Sequence, residues 1–178
     1  MAHIDVFKGW ADTIRGDVDA YKALLEAPGA DDDARKLAAA ALTYLVSRMD
    51  LIPDWNEGIG VIDDVMILRV VAQLTRTHDR GVLPATAVAS LQRLADESAA
   101  IVKFIGAPVY NKLEAYCVRL TDQSVRGRTP TQLVADAEIR NALYLEIDEE
   151  LKKHGPITIA DPADAELRLK AYLTHKLQ

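Results

Sequence analysis

Residues 44–64 read YLVSRMDLIPDWNEGIGVIDD, and the way this stretch punctuates the chain decides the fold. Pro53 fixes its own φ and pushes Ile52 out of the helical region, so a helix arriving from residues 31–48 is expected to end before it. Gly60 offers a backbone angle that other residues resist. Asp63 and Asp64 then fall in the first turn of a helix starting near Val61, where unpaired N–H groups favour carboxylates. The stretch is therefore a stiff corner between two helices.

Outward from this corner the apolar spacing is helical throughout. Before it, Phe7, Trp10, Ile14, Val18, Tyr21 and Leu25 mark a helix over about 3–27, with Gly9 and Gly16 as places where it can bend and Pro28-Gly29 as its end. Asp31 to Asp33 open the second helix, with Leu37, Ala41, Tyr44 and Leu45 facing inward. The helix after the corner is apolar on so wide a face, from Val65 to Leu74, that it must be buried on several sides. Pro84 starts a fourth helix running to Ile105. After Gly106-Ala107 a fifth runs from Pro108 to about Val125, paired with the fourth as a hairpin. Thr129-Pro130-Thr131-Gln132 has the spacing of a capping box and opens a sixth helix to Leu151. Asp161-Pro162 opens a seventh. The expected fold is all-α, a bundle of about seven helices. The loop at 78–84 is the candidate boundary between an N-terminal three-helix unit (1–78) and a C-terminal four-helix unit (79–178), one continuous bundle being the alternative.

Composition narrows the function classes. The 178 residues are 49% hydrophobic, 27% charged and only 6% aromatic, with a net charge of −6. An acidic chain lacks the clustered Lys and Arg that hold phosphate backbones, so no nucleic acid partner is expected. A lone Cys117 makes neither an internal disulfide nor a cysteine zinc site. No apolar run reaches the ~20 residues of a membrane span. MAHIDVFKGW does not read as a secretory signal, so the cytoplasm is the expected location.

The candidate chemistry lies in the corner. Asp50, Asp54, Asp63 and Asp64 have two readings. They are caps and braces that accept backbone N–H bonds, or they converge on one divalent cation, which prefers oxygen ligands. Apart from such a cation, no cofactor is expected. Trp55 in a polar loop, with Ile59 beside it, is a candidate docking surface. Elsewhere the bland reading prevails. The four histidines show no paired spacing, Cys117 sits on an apolar seam, and Arg119, Arg126 and Arg128 flank a helix stop at Gly127.

Tyr44-Leu45-x-Ser47, Asp50-Leu51-Ile52-Pro53-Asp54, Trp55, Gly60 and Asp63-Asp64 resemble the YkvA-like family, a bacterial domain of unknown function, over about residues 38–74. The chain departs from the family pattern at Arg48, where a Pro is usual, and at Asn56-Glu57-Gly58, where an apolar stretch is usual. Many relatives are membrane-associated in appearance, so the resemblance implies membrane contact. The polar residues at 56–58 and the acidic charge disfavour it. Three functions follow as expectations: a non-catalytic protein-interaction or regulatory protein, with a protein partner or a second copy as its ligand; a divalent-metal-dependent hydrolase of a phosphorylated small molecule; and a peripheral membrane protein.

Overall fold

The computed structural model describes residues 2–48, 51–53, 56 and 58–178. The chain is all-helical there, and the only ladder pairing among the described residues is two isolated bridges, Ala30 with Arg80 and Val125 with Arg128. The helices are α1 (His3–Trp10), α2 (Ile14–Leu25), α3 (Asp32–Tyr44), α4 (Ile62–Thr75), α5 (Ala85–Ile105), α6 (Ala107–Leu120), α7 (Pro130–Ala135), α8 (Ala137–Lys153) and α9 (Pro162–Lys176).

Helix α4 is the axle. Ile62, Val65, Met66, Ile67, Leu68, Val70, Val71 and Ala72 are buried around its whole circumference. It can stay buried on every side because α1, α3, α5 and α6 all pack against it. The largest of these faces is α4 against α5, and α2 also packs on α5, so the apolar core runs without a break from Ile4 in α1 to Leu177 beyond α9.

Several expected helix starts are present as capping contacts. Asp31 accepts the Ala34 N–H at 2.7 Å, Thr129 and Gln132 form a reciprocal capping box, and Asp161 accepts the Asp164 N–H at 3.1 Å.

Two segments expected as single helices are each divided. The first breaks at a 3-10 turn, Ala11–Thr13, between the two glycines rather than at either. There the Thr13 hydroxyl donates to Asp17 at 2.8 Å. The segment from 130 to 153 breaks at Asp136, whose extended backbone (φ −125°, ψ 114°) lets its carboxylate accept the N–H groups of Glu138 and Ile139. The carbonyls left open at the end of α7 are taken by arginines: Arg140 donates to Leu133 and Val134, and Arg35 donates to Val134.

Cys117 is fully buried in α6 and desolvation pushes its thiol pKa well up. An aromatic disulfide reagent is therefore expected to leave the folded protein unlabelled and to label one thiol once denaturant is added, read by absorbance. Rapid labelling of the native chain would contradict this packing.

Candidate functional site

The corner between α3 and α4 is built around a buried hydrogen-bonded brace. Tyr44, the last residue of α3, donates its hydroxyl to Asp63 Oδ2 at 2.5 Å. The same hydroxyl oxygen accepts the Leu51 N–H at 2.8 Å, and Asp63 Oδ2 also accepts the Ile52 N–H at 3.3 Å. Tyr44 and Asp63 thus fold the returning chain onto the start of α4 by holding two backbone amides that no helix would hold. Helix α3 ends at Tyr44, ahead of Pro53, and residues 45–47 carry it on as a tightened turn through N–H bonds to the carbonyls of Leu42, Thr43 and Tyr44.

Two expectations change. The left-handed angle sought at Gly60 belongs to Gly58 (φ +84°). Gly60 instead sits in a right-handed turn, donating its N–H to the Asn56 carbonyl at 2.9 Å. Ile59, expected on a docking surface, is fully buried in the core, because that same turn rolls its side chain inward.

Of the four candidate aspartates, Asp63 and Asp64 are placed, both buried in the first turn of α4. Asp50, Asp54 and Trp55 lie outside the described residues. Among the described residues no group of three His, Cys, Asp or Glu side chains is arranged to hold a metal ion.

The C-terminal segment covers the corner. Asn56 donates to the Tyr172 hydroxyl at 2.6 Å and accepts from Arg168 at 2.7 Å, tying the loop to α9. Glu166, also on α9, accepts the Ile4 N–H at 3.0 Å. A Cβ at Gly58 would lie 2.9 Å from the Thr158 carbonyl oxygen, so residues 158–159, between α8 and α9, press directly on this loop. Positions 56 and 58, where the chain departs from the family pattern, are therefore those that seat its own C-terminal segment.

Beside this contact opens a cleft of about 1280 Å³. Its floor includes Asp64 and Val61, one wall is α1 with the turn into α2, and the other is the end of α8 with residues 154–158. Residues 34–69 match the model of a family described as a protein of unknown function (DUF1232). The matched segment holds both partners of the Tyr44–Asp63 brace, and the match stops short of α1, α2 and everything after Arg69. No curated protein and no solved structure matches the chain.

A second buried polar cluster, between α2, α4 and α5, was not legible as a unit in the sequence. Arg69, fully buried, donates Nε–H to Glu97 at 2.8 Å and Nη1–H to the Val65 carbonyl at 3.0 Å. Its guanidinium lies 4.2 Å from the centre of the Trp10 ring, and Nη2 stands 3.9 Å from Asp17. Asp17, equally buried, is bound by Arg93 and Thr13. Burial lowers the Arg69 pKa from its ordinary value, against the raising effect of Glu97 and Asp17. With every member paired to an opposite charge, the cluster serves as a polar pin through the core.

The small basic patch is likewise committed, since Arg126 and Arg128 both bind Glu146. Among the described residues, no helix is long and apolar enough to cross a membrane.

Proposed function

We propose that this chain is a non-catalytic, cytoplasmic protein-interaction protein, in which a YkvA-like hairpin is a structural element that frames the cleft. The observation that carries this reading is the use made of Asp63: its Oδ2 accepts a phenolic O–H and a backbone N–H, which is what a loop brace requires. A metal ligand would turn that oxygen toward the ion.

Calorimetry and thermal unfolding with Mg²⁺, Mn²⁺ and Ca²⁺ test the reading. Asp63→Asn leaves one oxygen where the carboxylate had two, and Tyr44→Phe strips a donor and an acceptor at once. Each is expected to cost about 1–3 kcal/mol, which is about 2–12 °C of Tm in a chain of this size. The three cations should leave the Tm of the wild type unchanged. A cation that raised the wild-type Tm by several degrees, with the gain abolished by Asp63→Asn or Asp64→Asn, would replace this reading with the metal-dependent one.

A further inference from the structure

Between α8 and α9 the chain runs without helix from residue 154 to 161. It leaves α8 through His154 (φ −75°, ψ 111°) and enters α9 through Asp161 (φ −129°, ψ 99°), both extended. Among the described residues, the backbone groups of 155–160 make no hydrogen bond to any other part of the chain. Its sequence, Gly155-Pro156-Ile157-Thr158-Ile159-Ala160, puts β-branched residues in a row. Burial alternates along it, Ile157 and Ile159 half-buried, Thr158 and Ala160 exposed. That is the pattern of a strand on the edge of a sheet, with the rest of the sheet missing. In an all-helical protein a solitary stretch of this kind has no partner of its own.

This edge lines the cleft from Gly155 to Thr158. The facing wall carries Asp5, Lys8, Asp12 and Arg15, whose signs alternate along α1 and the start of α2. None of the four is in an ion pair among the described residues. At ~1.5 Å per residue that row is roughly 15 Å long, the reach of about four or five extended residues at ~3.3 Å each. Small-molecule sites fill about 300–1,000 Å³ with a few convergent polar groups. Here the volume is larger and the charges are strung out with both signs, which matches a polypeptide better than a metabolite.

Resting on the protein-interaction reading above, we propose that the cleft is a β-addition site. An extended segment of a partner protein lies along residues 155–158, pairs its backbone with theirs, and sets side chains of both charges against Asp5, Lys8, Asp12 and Arg15. Main-chain pairing supplies affinity in this mode and the opposite wall supplies selection.

The test uses the full chain and a library of acetylated peptides of about eight residues, the length of a short strand with overhang. Val or Ile occupies alternate positions, with Lys, Arg, Asp and Glu varied between them. Hydrogen exchange should find the Gly155 and Ile157 amides, which an extended chain points to the same edge, nearly unprotected in the free protein and slowed about ten-fold or more by the best peptides. N-methylation of the pairing peptide amides should abolish this. The exposed changes Lys8→Glu and Arg15→Glu should reorder which peptides bind, and Gly155→Pro, which removes a pairing N–H at an exposed position after an already extended residue, should weaken all of them while an unchanged Tm shows the fold intact. The proposal is overturned if no library member protects 155–158, if N-methylated peptides bind equally, or if protection rises with protein concentration alone, which would make a second copy the occupant. None of these outcomes touches the cation titrations, so failure of this site and failure of the non-catalytic reading are told apart.

Discussion

Arg69→Ala is expected to lower the melting temperature by about 6–20 °C, the largest effect of any single truncation in the core. The reasoning starts from what remains behind. Without the guanidinium, Glu97 keeps only the longer bond from Arg93, the Val65 carbonyl loses a side-chain donor, Asp17 loses one of its two cationic neighbours, and the Trp10 ring loses the cation over it. Removing one partner from a buried ionic set costs about 3–5 kcal/mol, because the opposite charge stays desolvated. In a chain of this length each kcal/mol is worth about 2–4 °C. Arg69→Lys should recover little of the loss, since one ammonium cannot reach Glu97 and the Val65 carbonyl while stacking flat on Trp10. Thermal unfolding of the three proteins checks this. A loss of less than about 2 °C for Arg69→Ala would mean that Arg93 alone compensates Asp17 and Glu97 and that Arg69 does not pin the helices.

That cluster also marks where the sequence stops being informative. Arg69 and Trp10 are 59 positions apart, and each looks ordinary: a charged residue inside an apolar helix, and an aromatic at helical spacing. Their pairing is a property of how α1 and α4 cross, and apolar periodicity carries no information about crossings. What periodicity and caps do carry was readable, because a cap is a local contact: Asp31, Thr129 and Asp161 start helices by bonds to residues three positions ahead. The same logic explains the missed start at Asp136. Its signal was present, an Asp followed by Glu138 and Ile139, but it lay inside a longer stretch whose apolar spacing ran on unbroken.

The corner was legible as a corner, because proline is conspicuous in a sequence and a helix stops ahead of it. The brace that closes the corner was not, since it is a tyrosine hydroxyl meeting an aspartate nineteen residues later. Asn56 and Gly58 were seen as departures from a family pattern, and only the docking of α9 and residues 158–159 on them supplies the reason. The row Ile157-Thr158-Ile159 is strand-like in composition, but three residues between two strong helices are too short for a period to register.

Gly81→Ala is expected to be a strongly damaging single-methyl addition, because a Cβ at Gly81 meets backbone more closely than one at Gly58, Gly106 or Gly127. The loop at 78–84 reads in the sequence as a candidate boundary between two helical units, with one continuous bundle as the alternative. In the fold it is fastened to the loop at 28–31: Val82 donates to the Pro28 carbonyl and Asp31 to the Asp79 carbonyl, both at 2.9 Å, while Asp31 accepts the Asp79 N–H at 3.1 Å. Gly81 sits between these bonds at φ +65°, and a Cβ there would meet the Pro28 carbonyl oxygen at 2.3 Å and the Ala30 nitrogen at 2.4 Å. Both obstacles are backbone, so neither can rotate aside. The left-handed angle alone costs alanine about 1–2 kcal/mol, and forcing two backbones apart adds about 1–3 kcal/mol. The expected fall in Tm is therefore about 4–20 °C. Gly127→Ala is the matched control, because Gly127 is also left-handed (φ +77°) but has open space where its Cβ would stand. It should show the angular cost without the collision. If thermal unfolding finds the two substitutions equal, the clasp between residues 28–31 and 79–82 yields freely, and the N- and C-terminal halves of the chain are joined there by a linker. If Gly81→Ala falls well below Gly127→Ala, those backbone contacts hold the halves in register.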